Sequence, residues 1–124
     1  MGAAIDYLAS VGMDRVREHE RELAAYALDR LPAVEGITLY GPSDVERRGG
    51  AIPFTIEGMH PHDIAELCDR EAVCVRAGHH CAQPLMRCLG VGATARASFH
   101  VYNSRDEVDR LVDALTKARE VFEL

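Results

Sequence analysis

The spacing of apolar residues along the chain predicts alternating helices and short strands. The strongest signal lies near the C-terminus, where the capping-box pattern Ser104-x-x-Glu107 precedes apolar residues that recur every three or four positions. A second amphipathic helix is predicted over residues 14–31, before Pro32. The inward stripes of these helices are Val108, Leu111, Val112, Leu115, Ala118 and Phe122 in the first, and Val16, Leu23, Ala27 and Leu31 in the second.

Shorter patterns complete the prediction of the fold. Strands are predicted over residues 37–40, 51–56, 72–75 and 97–102, and further helices over residues 2–9, from Pro61 onward, and over residues 83–89. Pro53 has no backbone N–H, which favours an edge position or a bulge for its strand. The order of the elements predicts an α+β fold, in which helices pack against a small, mainly antiparallel sheet of about four strands.

Length and charge narrow the class of protein. The 124 residues are the usual size of one domain. A net charge of −6, with no basic run longer than Arg47-Arg48, argues against nucleic-acid binding. No apolar run approaches the ~20 residues of a membrane span, and the N-terminal residues carry Asp6 and no basic segment typical of a secretory signal. We therefore expect a cytoplasmic protein without a membrane segment.

The residues suited to chemistry are concentrated between positions 76 and 103. Cys81 follows His79 and His80 and lies just before the predicted helix 83–89. The unpaired N–H groups and the dipole at a helix N-terminus favour a thiolate, so this cysteine is predicted to be a nucleophile. The four cysteines, at positions 68, 74, 81 and 88, form no CxxC pair, and we expect reduced thiols.

Two runs of sequence carry a resemblance to a known family. They are RAGHHCAQP at residues 76–84 and ATARASFHVYN at residues 93–103. Both resemble segments of SufS-type (group II) cysteine desulfurases, which belong to the class V, pyridoxal-phosphate-dependent aminotransferase superfamily. The likeness extends loosely over residues 1–124 and implies the small C-terminal domain of such an enzyme, without its large cofactor-binding domain. We expect a truncated chain, since Met1 stands close to a helix that looks already under way.

The resemblance implies roles for Cys81 and Arg96, and the sequence around Cys81 suggests roles for three further residues. A cysteine desulfurase takes sulfur from L-cysteine and leaves alanine and a persulfide on its own cysteine, which is Cys81 here. Arg96 matches the family arginine that binds the substrate carboxylate, a task for which a planar guanidinium is suited. Arg76 either stabilises the Cys81 loop or its anionic sulfur, or is an ordinary arginine at the end of a strand. His79 and His80 either tune the thiolate or only fill the loop.

The resemblance also implies partners and a cofactor for the full-length enzyme. The partners are the large domain, a second copy in a homodimer, and a sulfur-acceptor protein of the SufU or SufE type in iron–sulfur cluster assembly. His62 is a candidate contact to the zinc site of a SufU-type acceptor. Pyridoxal phosphate is held as a lysine Schiff base in the family, but the only lysine here is Lys117, on the polar side of the C-terminal helix. We therefore expect the isolated chain to bind no cofactor and to be inactive.

Three other functions stay open. One is a stand-alone carrier that accepts persulfide sulfur at Cys81 without a cofactor. Another is the corresponding domain of a selenocysteine lyase or a cysteine sulfinate desulfinase, since related enzymes share the scaffold. The third is a small zinc-binding module. The spacing of His79, His80 and Cys81 matches none of the usual structural zinc patterns, so we expect no metal in this chain.

Overall fold

The computed structural model of the protein describes residues 1–122. Within these residues the chain forms five α-helices and four β-strands. The helices are α1 (Gly2–Val11), α2 (Met13–Arg30), α3 (Pro61–Arg70), α4 (Gln83–Leu89) and α5 (Arg105–Phe122). The strands are β1 (Ile37–Leu39), β2 (Ala51–Ile56), β3 (Arg76–Gly78) and β4 (Thr94–Ser98). None of the helices in residues 1–122 is long and apolar enough to cross a membrane.

The described strands form one sheet in the order β1-β2-β4-β3, and every neighbouring pair is antiparallel. The predicted α+β fold with a four-stranded antiparallel sheet is thereby confirmed. β2 and β4 occupy the centre, where Phe54 lies opposite Ala95 and Pro53 opposite Arg96. β3 is the outer strand beside β4, and Arg76 lies opposite Arg96. The chain segment that carries Cys81 therefore leaves the sheet from an edge strand.

The core lies between one face of the sheet and helices α2, α3 and α5. Alternate residues of β2 point into it, since Ile52, Phe54 and Ile56 are buried and the residues between them are partly covered. The inward residues predicted for the two long helices are buried: Val16, Leu23, Ala27, Leu31, Val108, Leu111, Val112, Leu115 and Ala118. The prediction is wrong for Phe122, which lies in the last turn of α5 and is 38% exposed.

The edge or bulge predicted from Pro53 is wrong, because β2 lies between β1 and β4. The proline carbonyl accepts the N–H of Tyr40 at 2.9 Å, at the point where β1 ends. The Tyr40 carbonyl, which the missing N–H of Pro53 would have reached, accepts from Nη2 of Arg48 at 3.3 Å. The same guanidinium donates to the carbonyls of Pro42 and Ala51. A buried arginine thus replaces one hydrogen bond of the ladder.

The third strand is displaced from the predicted residues 72–75 to β3. The chain is still closing α3 at this point, since Ala72 is left-handed, with φ 58°, and the N–H of Val73 bonds to the Cys68 carbonyl at 2.9 Å. These bonds delay pairing with β4 until Arg76. By contrast, strand 51–56 and helix 83–89 are confirmed with the predicted bounds.

The fourth strand is also displaced, because β4 begins three residues and ends four residues before the predicted strand 97–102. Beyond it the chain turns. The N–H of Asn103 bonds to the His100 carbonyl at 3.0 Å, and the Asn103 side-chain oxygen accepts the His100 N–H at 2.9 Å. The turn leads into α5, where Oε2 of Glu107 accepts the N–H of Ser104 at 2.9 Å, one of the two bonds of a capping box.

Candidate active site

The loop between β3 and α4 carries Cys81. Its backbone is unusual, because His80 and Cys81 are consecutive left-handed residues, with φ of 54° and 59°. Gly78, directly before the loop, has φ 126°, an angle that glycine adopts without the steric cost of a Cβ atom. The N–H of Ala82 bonds to the His79 carbonyl at 2.8 Å and closes the turn. The loop thus presents Cys81 at the surface.

Cys81 has an exposed thiol in front of α4. Ala82 is the N-cap of that helix, and Cys81 is the residue before this N-cap. Nη2 of Arg76, at the start of β3, lies 3.7 Å from Cys81 Sγ and donates to it. The guanidinium places positive charge beside the sulfur, an environment suited to a thiolate or another sulfur anion.

Cys68 has the opposite environment. It lies on α3, is 0% exposed, and burial raises the pKa of its thiol to about 11. A buried neutral thiol of this kind packs as a small apolar side chain and is a poor nucleophile. Cys74 and Cys88 are exposed. Cys81 is distinguished by exposure together with an arginine donor at its sulfur.

Arg96 lies in the middle of β4, directly opposite Arg76 on β3. Residues opposite each other in an antiparallel pair project from the same face, which here is the face away from the buried Ala95 and Ala97. Nε of Arg96 donates to Oγ of Ser98 at 3.1 Å. The two guanidinium groups give the open face of the sheet a positive patch beside the cysteine loop, and such patches bind carboxylates and other anions.

His80 is bonded to the sheet. Its Nε2 lies 2.8 Å from Oγ1 of Thr94, the first residue of β4, which is 0% exposed. Its Nδ1 is buried and has no hydrogen-bond partner within residues 1–122. Burial lowers the pKa of His80, and the charges of Arg96 and Arg76 lower it further. His80 is therefore a neutral imidazole near pH 7.

The structure brings four of the six predicted site residues into one cluster, namely Arg76, His80, Cys81 and Arg96. His79 lies exposed on the same loop. His62 is on a different element, exposed in the first turn of α3, where its N–H bonds at 3.3 Å to Nδ1 of the N-cap residue His60. Within residues 1–122 no group of three or more His, Cys, Asp or Glu side chains is placed to hold a metal ion.

Thr94 and Ser98 are contacts of the cluster that the sequence analysis missed. Their side chains lie on the same face of β4 as Arg96, two residues before and after it. The signal is this two-residue alternation within the run ATARAS. A strand predicted to begin at residue 97 leaves Thr94 outside the sheet and hides the pattern.

Solved structures with the same fold indicate the class of protein. The structure superposes on an apo cysteine desulfurase from Thermococcus onnurineus NA1 with a TM-score of 0.89 and 38% sequence identity, covering 98% of this chain and 30% of that chain. It is also similar to the cysteine desulfurase CsdA from Escherichia coli, with a TM-score of 0.86 and 35% identity, covering 96% of this chain and 29% of that chain. The fold is therefore one that occurs within cysteine desulfurases.

Sequence comparisons identify the family. The family described as Aminotransferase class-V matches residues 1–111. Curated relatives include probable cysteine desulfurases from Halalkalibacterium halodurans, 53% identical over 122 residues, and from Staphylococcus aureus, 49% identical over 122 residues. The chain belongs to the class V aminotransferase family, as the two sequence runs predict. It spans 29% of the length of these curated relatives, while the alignments cover 98% of this chain.

Members of this family depend on pyridoxal phosphate, and the residues of this chain do not fit its attachment. A Schiff base requires an unprotonated lysine amine. Lys117 is the only lysine in the sequence, and its Nζ forms an ion pair of 2.6 Å with Oε2 of Glu71 at the end of α3. The hydrogen bond to Glu71 raises the pKa of Lys117, which keeps the amine protonated. The chain thus offers no lysine suited to this cofactor.

Proposed function

We propose that residues 1–124 are the C-terminal small domain of a SufS-type cysteine desulfurase, and that Cys81 carries the sulfur. The Cys81 thiolate attacks the sulfur of L-cysteine and forms an S–S bond. The substrate C–S bond breaks, its electron pair stays on the carbon, and that carbon takes a proton to give alanine. The observation that carries this proposal is the exposed Cys81 sulfur with Nη2 of Arg76 3.7 Å away.

The two arginines have separate tasks in this proposal. Arg76 donates to the sulfur and stabilises the anion before attack and the persulfide after it. Arg96 binds the substrate carboxylate through its Nη atoms, while the hydrogen bond from its Nε to Ser98 fixes the orientation of the guanidinium. The cofactor-binding large domain lies outside this chain and holds pyridoxal phosphate. His79, which is exposed two residues before Cys81, supports the loop.

The proposal extends to partners of the full-length enzyme. It forms a homodimer in the cytoplasm and passes sulfur to an acceptor of the SufU or SufE type for iron–sulfur cluster assembly. The exposed Cys81 is compatible with transfer to a second protein. His62 is exposed at the start of α3 and is the residue we assign to contact the zinc site of a SufU-type acceptor.

The test is made on the complete enzyme that contains this domain. Cys81→Ala should abolish persulfide formation and sulfide release from L-cysteine, whereas Cys74→Ala, which removes another exposed thiol, should leave both unchanged. Mass spectrometry should find one added sulfur atom on the peptide that contains Cys81. A Cys81→Ala enzyme that keeps full activity would disprove the assignment. Rates with cysteine, selenocysteine and cysteine sulfinate then define the substrate.

A second candidate is a stand-alone persulfide carrier, which the ion pair of Lys117 with Glu71 favours because it removes the only lysine from cofactor chemistry. The chain by itself, mixed with pyridoxal phosphate and L-cysteine, should release no sulfide above a blank without protein. The chain by itself is then offered a persulfide donor. If it takes up sulfur at Cys81 at least as fast as the complete enzyme does, the carrier function is the better description.

A further inference from the structure

We propose that His80 is a positioning residue, which holds Cys81 in its left-handed backbone conformation through a hydrogen bond to Thr94. The inference rests on the proposed role of Cys81 and adds to it the contact that fixes the direction of the nucleophile. It also decides between the two roles that the sequence leaves open for His80, because an anchored neutral imidazole neither merely fills the loop nor acts on the sulfur as a cation.

The backbone of the loop requires such a restraint. His80 and Cys81 have φ of 54° and 59°, a conformation that side chains other than glycine adopt at a steric cost. Backbone of this kind persists where surrounding contacts over-determine it. The exposed Cys81 side chain contributes a contact of 3.7 Å with an exposed arginine, Arg76. The His80 side chain reaches a fully buried residue at 2.8 Å and is the stronger anchor.

Thr94 is a fixed partner for this hydrogen bond. It is 0% exposed and pairs with Gly78 across β3 and β4. Gly78 is two residues before His80, so the hydrogen bond closes a short ring through the end of β3, the loop and the start of β4. Cys81 directly follows His80, the residue that closes this ring. The hydrogen bond of His80 therefore fixes the direction in which the Cys81 side chain leaves the backbone.

The state of the imidazole follows from its surroundings. Nδ1 is buried without a partner in residues 1–122, so a proton there would leave an unsatisfied buried donor. We therefore expect the proton on Nε2, which then donates to Thr94 Oγ1. The groups that face the ring are Arg96 on β4, Arg76 on β3 and His79 on the loop, all of which disfavour a second proton. A hydrogen bond with the Thr94 backbone raises the pKa of His80, but burial lowers this pKa by more.

The test compares Thr94→Val, which removes the hydroxyl and keeps the buried shape, with Thr94→Ser, which keeps the hydroxyl. NMR of the isotope-labelled chain reports which His80 nitrogen carries the proton, and amide exchange at Ala82 reports whether the turn to His79 is closed. We expect Nε2 to be protonated in the wild type and in Thr94→Ser. In Thr94→Val the Ala82 amide should exchange about tenfold faster, the size of one lost hydrogen bond.

The exchange rate of the Ala82 amide in Thr94→Val decides whether His80 has this positioning role. The proposal fails if Thr94→Val exchanges at Ala82 within about twofold of the wild type while the β4 amides stay protected. Should Thr94→Val not fold, His80→Ala carries the same expectation at Ala82. In the complete enzyme Thr94→Val should lower kcat about tenfold at constant KM, and Thr94→Ser should restore it. Absence of any Cys81 persulfide in the wild type would refute the proposed function and leave the exchange result standing.

Discussion

The central strands and the cysteine loop of this protein are held by different forces. In β2 the side chains of Ile52, Phe54 and Ile56 are 0–2% exposed and pack against helices, so their positions follow from the burial of apolar surface. The loop at the edge strand is held by its own backbone turn and by two polar side-chain contacts, Arg76 to Cys81 and His80 to Thr94. The geometry of the candidate site is therefore separable from the stability of the fold, and each can be changed without the other.

The largest expected effect is in the central strands. Phe54→Ala removes a fully buried ring and should lower the free energy of unfolding by about 3–5 kcal/mol. Cys81→Ala, at an exposed position, should change it by less than about 0.5 kcal/mol. Urea denaturation of both variants measures the contrast. Equal losses would show that the loop belongs to the cooperative core and would remove the distinction between the two regions.

The thiols of the two regions should differ next most strongly. Burial raises the pKa of Cys68 from 9.0 to about 11, which lowers its thiolate fraction about a hundredfold before access is considered. In native buffer, iodoacetamide should therefore modify the exposed Cys81 at least about a hundredfold faster than Cys68. In urea the two rates should converge. Peptide mapping by mass spectrometry gives both rates, and rapid native labelling of Cys68 would contradict the buried assignment.

A smaller effect is expected from the cation at the loop. Arg76→Gln removes the charge beside the Cys81 sulfur and should slow alkylation of Cys81 about two- to fivefold, the size of an exposed charge interaction. Arg87→Gln is the matched control, because Arg87 is also exposed and lies in the last turn of α4. It should leave the Cys81 rate unchanged. An equal slowing in both variants would mean that general positive charge, not the contact with Arg76, acts on the sulfur.

The same division explains what could be predicted from the sequence. The bounds of β2 and α4 and the buried stripe of α5 follow from apolar periodicity, because burial decides them. The bounds of β3 do not, since its start depends on how α3 ends: the left-handed Ala72 and the bond from Val73 to Cys68 postpone pairing. The edge position inferred from Pro53 fails for a similar reason, because a distant side chain supplies the missing bond.

The residues of the candidate site could be predicted from the sequence only in part. The two sequence runs predict Cys81, Arg76 and Arg96 as site residues, and the structure brings these three residues together. The contact between His80 and Thr94 joins residues 14 positions apart and requires the correct strand bounds. Two consecutive left-handed residues in the loop, neither of them glycine, also leave no signal in residue type. Polar contacts at the edge are therefore what the structure adds.

The smallest expected effect is a pH dependence from His80. Its pKa is lowered in the folded chain by burial and by Arg96 and Arg76, relative to the ordinary value of 6.5. Below about pH 6.5 the unfolded chain therefore binds more protons than the folded chain, so the free energy of unfolding falls as the pH falls from 6.5 towards the lowered pKa of His80. Above pH 6.5 the contribution of His80 to stability is complete. In His80→Gln this part of the slope should vanish, while the other five histidines are unchanged. Urea denaturation of both proteins across this range measures the difference, and parallel curves would show that His80 is no more buried than an ordinary loop histidine.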